Sequence, residues 1–154
     1  MGQWCQEAVD RLHAFVSANF ATYLRTVETA DGLAAGSLTN PSAYVKARIP
    51  GDNRSPLVQI YEEGWEMKNQ RNRLYSVECT IVMSRLGDVR VESNEEFIRR
   101  YERAMIETIV DNATLGSTVI AAMVLGGEAA AGIGDASVIR QVKTLDVMVD
   151  LHSP

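Results

Sequence analysis

The chain has 154 residues, 46% of them hydrophobic and 23% charged, and a formal net charge of −5 at pH 7. This length and apolar content suffice for a single domain, 1–154, with one continuous core and no disulfide or metal support. The acidic balance argues against non-specific adhesion to nucleic acid, which needs Lys and Arg to neutralise phosphates.

The N-terminal Met1-Gly2-Gln3-Trp4-Cys5-Gln6-Glu7 lacks the basic and apolar regions of a secretory signal. The apolar runs are far shorter than the roughly 20 residues of a membrane-spanning helix. A soluble protein of cytoplasmic origin, with no membrane partner, is therefore expected. From Gln3 to about Val27, Cys5, Ala8, Val9, Leu12, Val16, Phe20, Tyr23, Leu24 and Val27 recur at steps of three and four, which predicts a long helix ending near Thr29. Its other side carries Glu7, Asp10, Arg11, Ser17, Asn19 and Arg25, so the helix should be covered on one side only, by a sheet.

Between Asp31 and Pro56 lie Asp31-Gly32, Gly36, Asn40-Pro41 and Pro50-Gly51, around a short strand-like piece from Ala43 to Arg48. Leu57–Glu62 and Tyr75–Met83 then read as an antiparallel hairpin, the second strand placing Tyr75, Val77, Cys79, Ile81 and Met83 on one face. The connection from Glu63 to Arg73 is long and polar with Trp65 inside it. Either the strands extend beyond the core or a loop projects as an arm.

Ser93 with Glu96 three residues later forms a capping-box pattern, and Phe97, Tyr101, Ala104, Met105, Thr108 and Ile109 form an apolar stripe. A second helix is predicted over about Asn94 to Val110, with Asn112 adopting the left-handed conformation that ends helices. Val119–Leu125 is apolar but fits a helix or a strand, and the form of the small-residue segment Gly126–Asp135 is left open by its periodicity. Leu145, Val147, Val149 and Leu151 alternate with Thr144, Asp146, Met148 and Asp150, as a half-buried antiparallel strand requires. The order implies an α+β fold: an antiparallel sheet with two main helices packed on one face and hairpin or loop arms projecting from it.

Recognisable chemistry is sparse. Gly132-Ile133-Gly134 is a fragment of a dinucleotide fingerprint without its third glycine, and no Gly-Lys-Ser or Gly-Lys-Thr phosphate cradle is present. His13 and His152 stand in no triad or metal-ligand spacing, and Cys5 and Cys79 read as buried thiols. Glu62, Glu63 and Glu66 lack the apolar surroundings that separate an acid from a base, so they read as solvated. Lys68, Arg71 and Arg73 with Trp65 and Tyr75 imitate a single-strand-binding surface, but acidic neighbours weaken that reading. No catalytic residue, cofactor or metal is expected, and the chain is expected not to be an enzyme.

The helix around Tyr101 and Ala104, the turn Thr114-Leu115-Gly116-Ser117-Thr118-Val119 and the closing strand, in that order, resemble the tail-terminator, or tail-completion, proteins of tailed bacteriophages. The strands Leu57-Val58-Gln59-Ile60 and Ser76–Val82 match as well, so the resemblance runs from about Leu57 to Leu151, and the first helix fits that family's N-terminal helix. The family often has a second glycine where Ser117 stands, and Gly126–Asp135 has no aligned counterpart. The resemblance implies a homohexameric ring in the virion neck, assembled in the host cytoplasm. Such a ring sits on the head-proximal end of the tail tube, stops its polymerisation and joins it to a head-side connector or adaptor protein. DNA passes through its lumen without sequence-specific binding.

On that reading Glu63, Trp65, Lys68, Arg71, Arg73, Glu128 and Asp135 are candidate residues of the inter-subunit or tail interface. Leu115 and Gly116 are expected to set the turn after the second helix and not to touch a partner. The alternatives are another head-tail neck or adaptor protein, the same part in a cellular injection apparatus or transfer particle, and a small α+β ligand-binding domain or enzyme with its pocket between helices and sheet.

Overall fold

The computed structural model describes residues 3–49, 54–88, 92–135 and 138–152. The order is α1 (Gln3–Ala30), β1 (Ala43–Val45), β2 (Leu57–Asn69), β3 (Leu74–Asp88), α2 (Glu92–Val110), β4 (Ala121–Asp135) and β5 (Val138–His152). The strands form one five-stranded sheet in the order β1-β2-β3-β5-β4, an α+β arrangement. Among these pairs, β1 runs parallel to β2 and the rest are antiparallel, so the sheet is mixed and not purely antiparallel as predicted. The parallel pairing follows from the long excursion of the chain between Val45 and Leu57, since a short hairpin joins only antiparallel neighbours.

The stripe predicted on α1 is its buried face: Cys5, Ala8, Val9, Leu12, Val16, Phe20, Leu24 and Val27 are all buried. It packs with α2 over one face of the sheet, against Val58 and Ile60 of β2, Val77, Cys79, Ile81 and Met83 of β3, and Leu145, Val147, Val149 and Leu151 of β5. Phe20 meets Tyr101 edge to face, with ring centroids 5.1 Å apart, and so joins the two helices at the centre of the core. The buried Tyr101 hydroxyl donates to the Thr39 carbonyl, and burial pushes its pKa up.

The connection after α1 is pinned by Leu38, which is buried, and by the carboxylate of Glu28, which accepts the Leu38 N–H at 2.7 Å and lies 2.9 Å from the Arg25 guanidinium. Glu28 is thus a buried acid with a local cation. Asp31, at the end of the same helix, accepts from Arg100 and Arg103 of α2, both at 2.8 Å, and these cations hold its carboxyl below its usual range.

Helix α2 begins at Glu92, two residues before the predicted start, and the side chain of Ser93 lies outside the described residues. It ends at Val110 as expected, but Asn112 is not in the left-handed region; its side-chain amide donates to the Thr108 carbonyl and the Tyr23 hydroxyl, both at 2.9 Å. The left-handed residues are the next ones, Leu115 (φ 47°), Gly116 (φ 69°) and Ser117 (φ 67°). Leu115 is buried and Gly116 lies against Phe15, so these residues do set the turn. Ser117 takes a conformation that suits glycine.

Of the two segments whose form was open, Gly126–Asp135 is strand throughout and Val119–Leu125 is strand from Ala121 onward. Residues 121–135 form one edge strand that pairs with β5 along its whole length, with a register shift between Val124 and Gly126 and another between Ile133 and Asp135. The glycine pair Gly132 and Gly134 therefore lies within a ladder and not in a strand-to-helix turn, which removes the dinucleotide geometry.

Candidate assembly surface

The helices cover one face of the sheet; no described helix covers the other, although Ser76, Thr80 and Ser84 at its centre are buried beneath neighbouring side chains. On β3, the residues between the buried apolar ones are Ser76, Glu78, Thr80, Val82 and Ser84, and on β5 they are Val142, Thr144, Asp146, Met148 and Asp150. Glu63 continues the alternation of Gln59 and Tyr61 on this bare face, where Thr80 donates to it at 3.3 Å, and the bulge between Glu62 and Gly64 then shifts the phase of the residues beyond it. Glu66 follows opposite Ser76. Glu128 enters from β4 opposite Thr144. The bare face thus carries Glu63, Glu66, Glu78, Glu128, Asp146 and Asp150.

Four of these carboxylates, Glu63, Glu78, Glu128 and Asp146, border an open cleft of about 470 Å³, which Tyr61, Thr80 and Thr144 also line. Thr80 also donates to Asp146 at 3.2 Å, and Ser76 donates to Asp150. The hydroxyls of the central strand therefore hold acids on its neighbours. Burial and the nearby Glu63 carboxylate push the Tyr61 phenol up. Among the described residues no group of three or more His, Cys, Asp or Glu has the geometry to hold a metal ion.

The predicted arm is part of the sheet. β2 continues to Asn69, β3 starts at Leu74, and β5 backs the pair out to His152. Only a tight turn, residues 70–73, joins them. Asn69 shapes it by accepting the N–H groups of Arg71 and Asn72, and Arg73 sits in it at φ 54°. Of the interface candidates, Arg71 and Arg73 are exposed at this tip, and Lys68 forms an ion pair with Glu66. Trp65 lies half-exposed on the helix-covered side, edge-on to Trp4 with centroids 5.1 Å apart. Tyr75 is buried beneath, stacked on Trp4, so it is not free to stack on a base.

The structure brings Glu63 of β2 and Glu128 of β4 to one cleft, although two strands separate them. The side chain of Asp135 lies outside the described residues. Sequence reasoning missed Glu78, Asp146 and Asp150 as surface acids. The alternation of β3 and β5 held the signal, since each acid occupies the polar phase of a strand whose other phase is core.

His13 and His152 lie apart, each with a ring nitrogen donating to a backbone carbonyl, Tyr44 at 2.9 Å and Asn72 at 2.8 Å. Cys5 and Cys79 are buried and form no disulfide, and burial pushes the Cys79 thiol up to about 12. Among the described residues no helix is long and apolar enough to cross a membrane. Compared with known proteins, the chain matches no family model and no curated protein.

Proposed function

We propose that the chain is a structural protein of phage assembly, a ring-forming tail terminator that caps the head-proximal end of a tail tube. In this reading identical copies close into a ring of about six, as the resemblance implies. The ring stops tube polymerisation and presents a surface to a head-side connector or adaptor protein. It works by geometry, without catalysis or a cofactor, and resides in the neck of the virion.

The observation that carries the proposal is the one-sided sheet, with helices over one face and a bare, acid-bearing face opposite. Such a face makes a suitable channel wall. Its carboxylates repel phosphates, so DNA would slide past without being held. The order of helices, strands and the Thr114-Leu115-Gly116 turn agrees with the resemblance that suggested the family.

Electron microscopy of the purified protein, alone and mixed with tail tubes, tests the proposal. Rings of about six subunits and tubes capped at one end are expected. A chain that stays monomeric and never associates with tubes would sink it, and rings that bind a connector but ignore tubes would indicate a neck adaptor. Replacing Glu78 and Asp146, which are outside the candidate interface residues, with Lys is expected to leave the ring intact but make it retain DNA at low salt.

A further inference from the structure

We infer that the distal half of β2 takes up an added strand from a different protein: a short extended segment, apolar beside Trp65 and Met67 and basic beside Gly64. The inference stands apart from the ring reading. β1 covers β2 only over Leu57–Gln59, and among the described residues no strand pairs with the outer edge of β2 beyond it. Such an edge offers unused N–H and C=O groups to an incoming strand.

The register shifts of β2 fall between Glu62 and Gly64 and between Met67 and Asn69, so Gly64–Met67 is a regular stretch between two bulges. Its two faces differ. Trp65 and Met67 pair with Val77 and Tyr75 of the core phase and stay exposed on the helix side, where Trp65 also meets Trp4 edge-on. An edge that is protected from pairing carries charge or proline, and two large exposed apolar side chains do the opposite.

Gly64 and Glu66 are in the phase of the bare face. There an open cleft of about 230 Å³ is lined by Gly64, Trp65, Glu66, Ser76, Glu78 and Met148. Gly64 leaves the cleft open toward the strand edge, since a Cβ built there meets nothing within 4 Å. Glu78, across from Gly64 on β3, has no ion-pair partner among the described residues, whereas Glu66 is held by Lys68. An added strand lies two strand spacings, about 10 Å, from Glu78. Arg or Lys on that strand closes the gap by laying its apolar stem over Gly64 toward Met148 and meeting the carboxylate partway.

Charge selects against a second copy as the occupant. Distal β2 carries Glu62, Glu63 and Glu66 against the single Lys68, so the complementary strand is basic. β1 (Ala43–Val45) and β4 (Ala121–Asp135), which end the sheet, contain no Lys or Arg. The start of β4 is also engaged already, because the Ala122 N–H donates to the Ala113 carbonyl. Two β2 edges would oppose glutamates, which destabilises a strand pair. The occupant is therefore a segment of another protein.

Binding of a short, labelled, end-blocked peptide of alternating Ile and Arg to the full chain, followed by fluorescence anisotropy, tests the site. It should bind about tenfold or more tightly than its counterpart of alternating Ile and Glu, and methylating its backbone nitrogens should abolish binding. Gly64→Val fills the cleft with a residue that suits a strand and should weaken binding about tenfold, as should Trp65→Ala, while circular dichroism shows the fold retained. Glu78→Gln should reduce the preference for the Arg peptide over the Glu peptide. Equal binding of the Glu peptide, equal binding of the methylated peptide, or undiminished binding to Gly64→Val overturns the inference. No binding of the Arg peptide overturns it too, and leaves the ring reading standing if the chain still forms rings; a monomer that binds the peptide does the reverse.

Discussion

Trp4 on the first turn of α1 stacks on Tyr75 of β3, with ring centroids 4.4 Å apart and planes 8° from parallel, while its buried indole N–H finds no acceptor among the described residues. The stack ties the start of the helix to the distal end of the sheet, directly behind Trp65. Trp4→Ala should cost about 3 kcal/mol, the lower end for loss of a packed Trp because this ring is only partly buried. Trp4→Phe should stay within about 1 kcal/mol of wild type, since it keeps a stacking ring and removes an unpaired donor. Urea denaturation of the two variants checks the difference.

Ser117 takes a left-handed conformation, φ 67°, with its side chain exposed. Glycine relieves that strain without losing burial, so Ser117→Gly should raise stability by about 1 kcal/mol. Leu115→Gly should do the reverse. It relaxes φ 47° but removes a buried side chain, and a net loss of about 2 kcal/mol is expected. Thermal melts of both variants report the opposite signs.

Two adjacent glycines of β4 should respond differently to alanine. A Cβ at Gly127 would run into the backbone carbonyl of Thr144 on β5, whereas one at Gly126 meets open space. Gly127→Ala should therefore force β4 away from β5 and cost about 2 kcal/mol. Gly126→Ala should be neutral or stabilising by up to about 0.5 kcal/mol. Hydrogen exchange along β4 and β5 will show whether the ladder opens in the first variant only.

Alkaline pH should weaken the fold through Cys79. Burial, with Glu62 adding to it, raises the thiol from 9.0 to about 12. Below pH 9 the thiol is protonated in both states and its contribution is fully present. As pH rises above 9 the unfolded thiol ionises while the folded one keeps its proton, so stability falls until about pH 12. Between about pH 8 and pH 10 this amounts to about 1 kcal/mol. Buried Tyr101 contributes in the same direction at higher pH. Denaturation at the two pH values should show a smaller drop for Cys79→Ala than for wild type, and an unchanged drop would contradict the assignment.

Amphipathic elements were legible in the sequence because their side-chain period reports burial directly. The stripe of α1 from Cys5 to Val27, the Tyr75–Met83 face of β3 and the alternation of Leu145, Val147, Val149 and Leu151 are all core in the folded chain. Gly126–Asp135 was not legible, because its small residues have no period and its strand form comes from the backbone ladder to β5. The same holds for Glu63–Arg73, where β3 and β5 extend the sheet under a polar stretch.

The sequence by itself determined the two helices, the principal strands and the α+β class, since each rests on local periodicity and hydrophobic burial. Only the tertiary structure decided the strand order, the parallel pairing of β1, the meeting of Glu63 with Glu128, and which strands end the sheet. Those features depend on which distant backbones share hydrogen bonds and on which face the helices cover. A side-chain pattern within one segment carries no record of either.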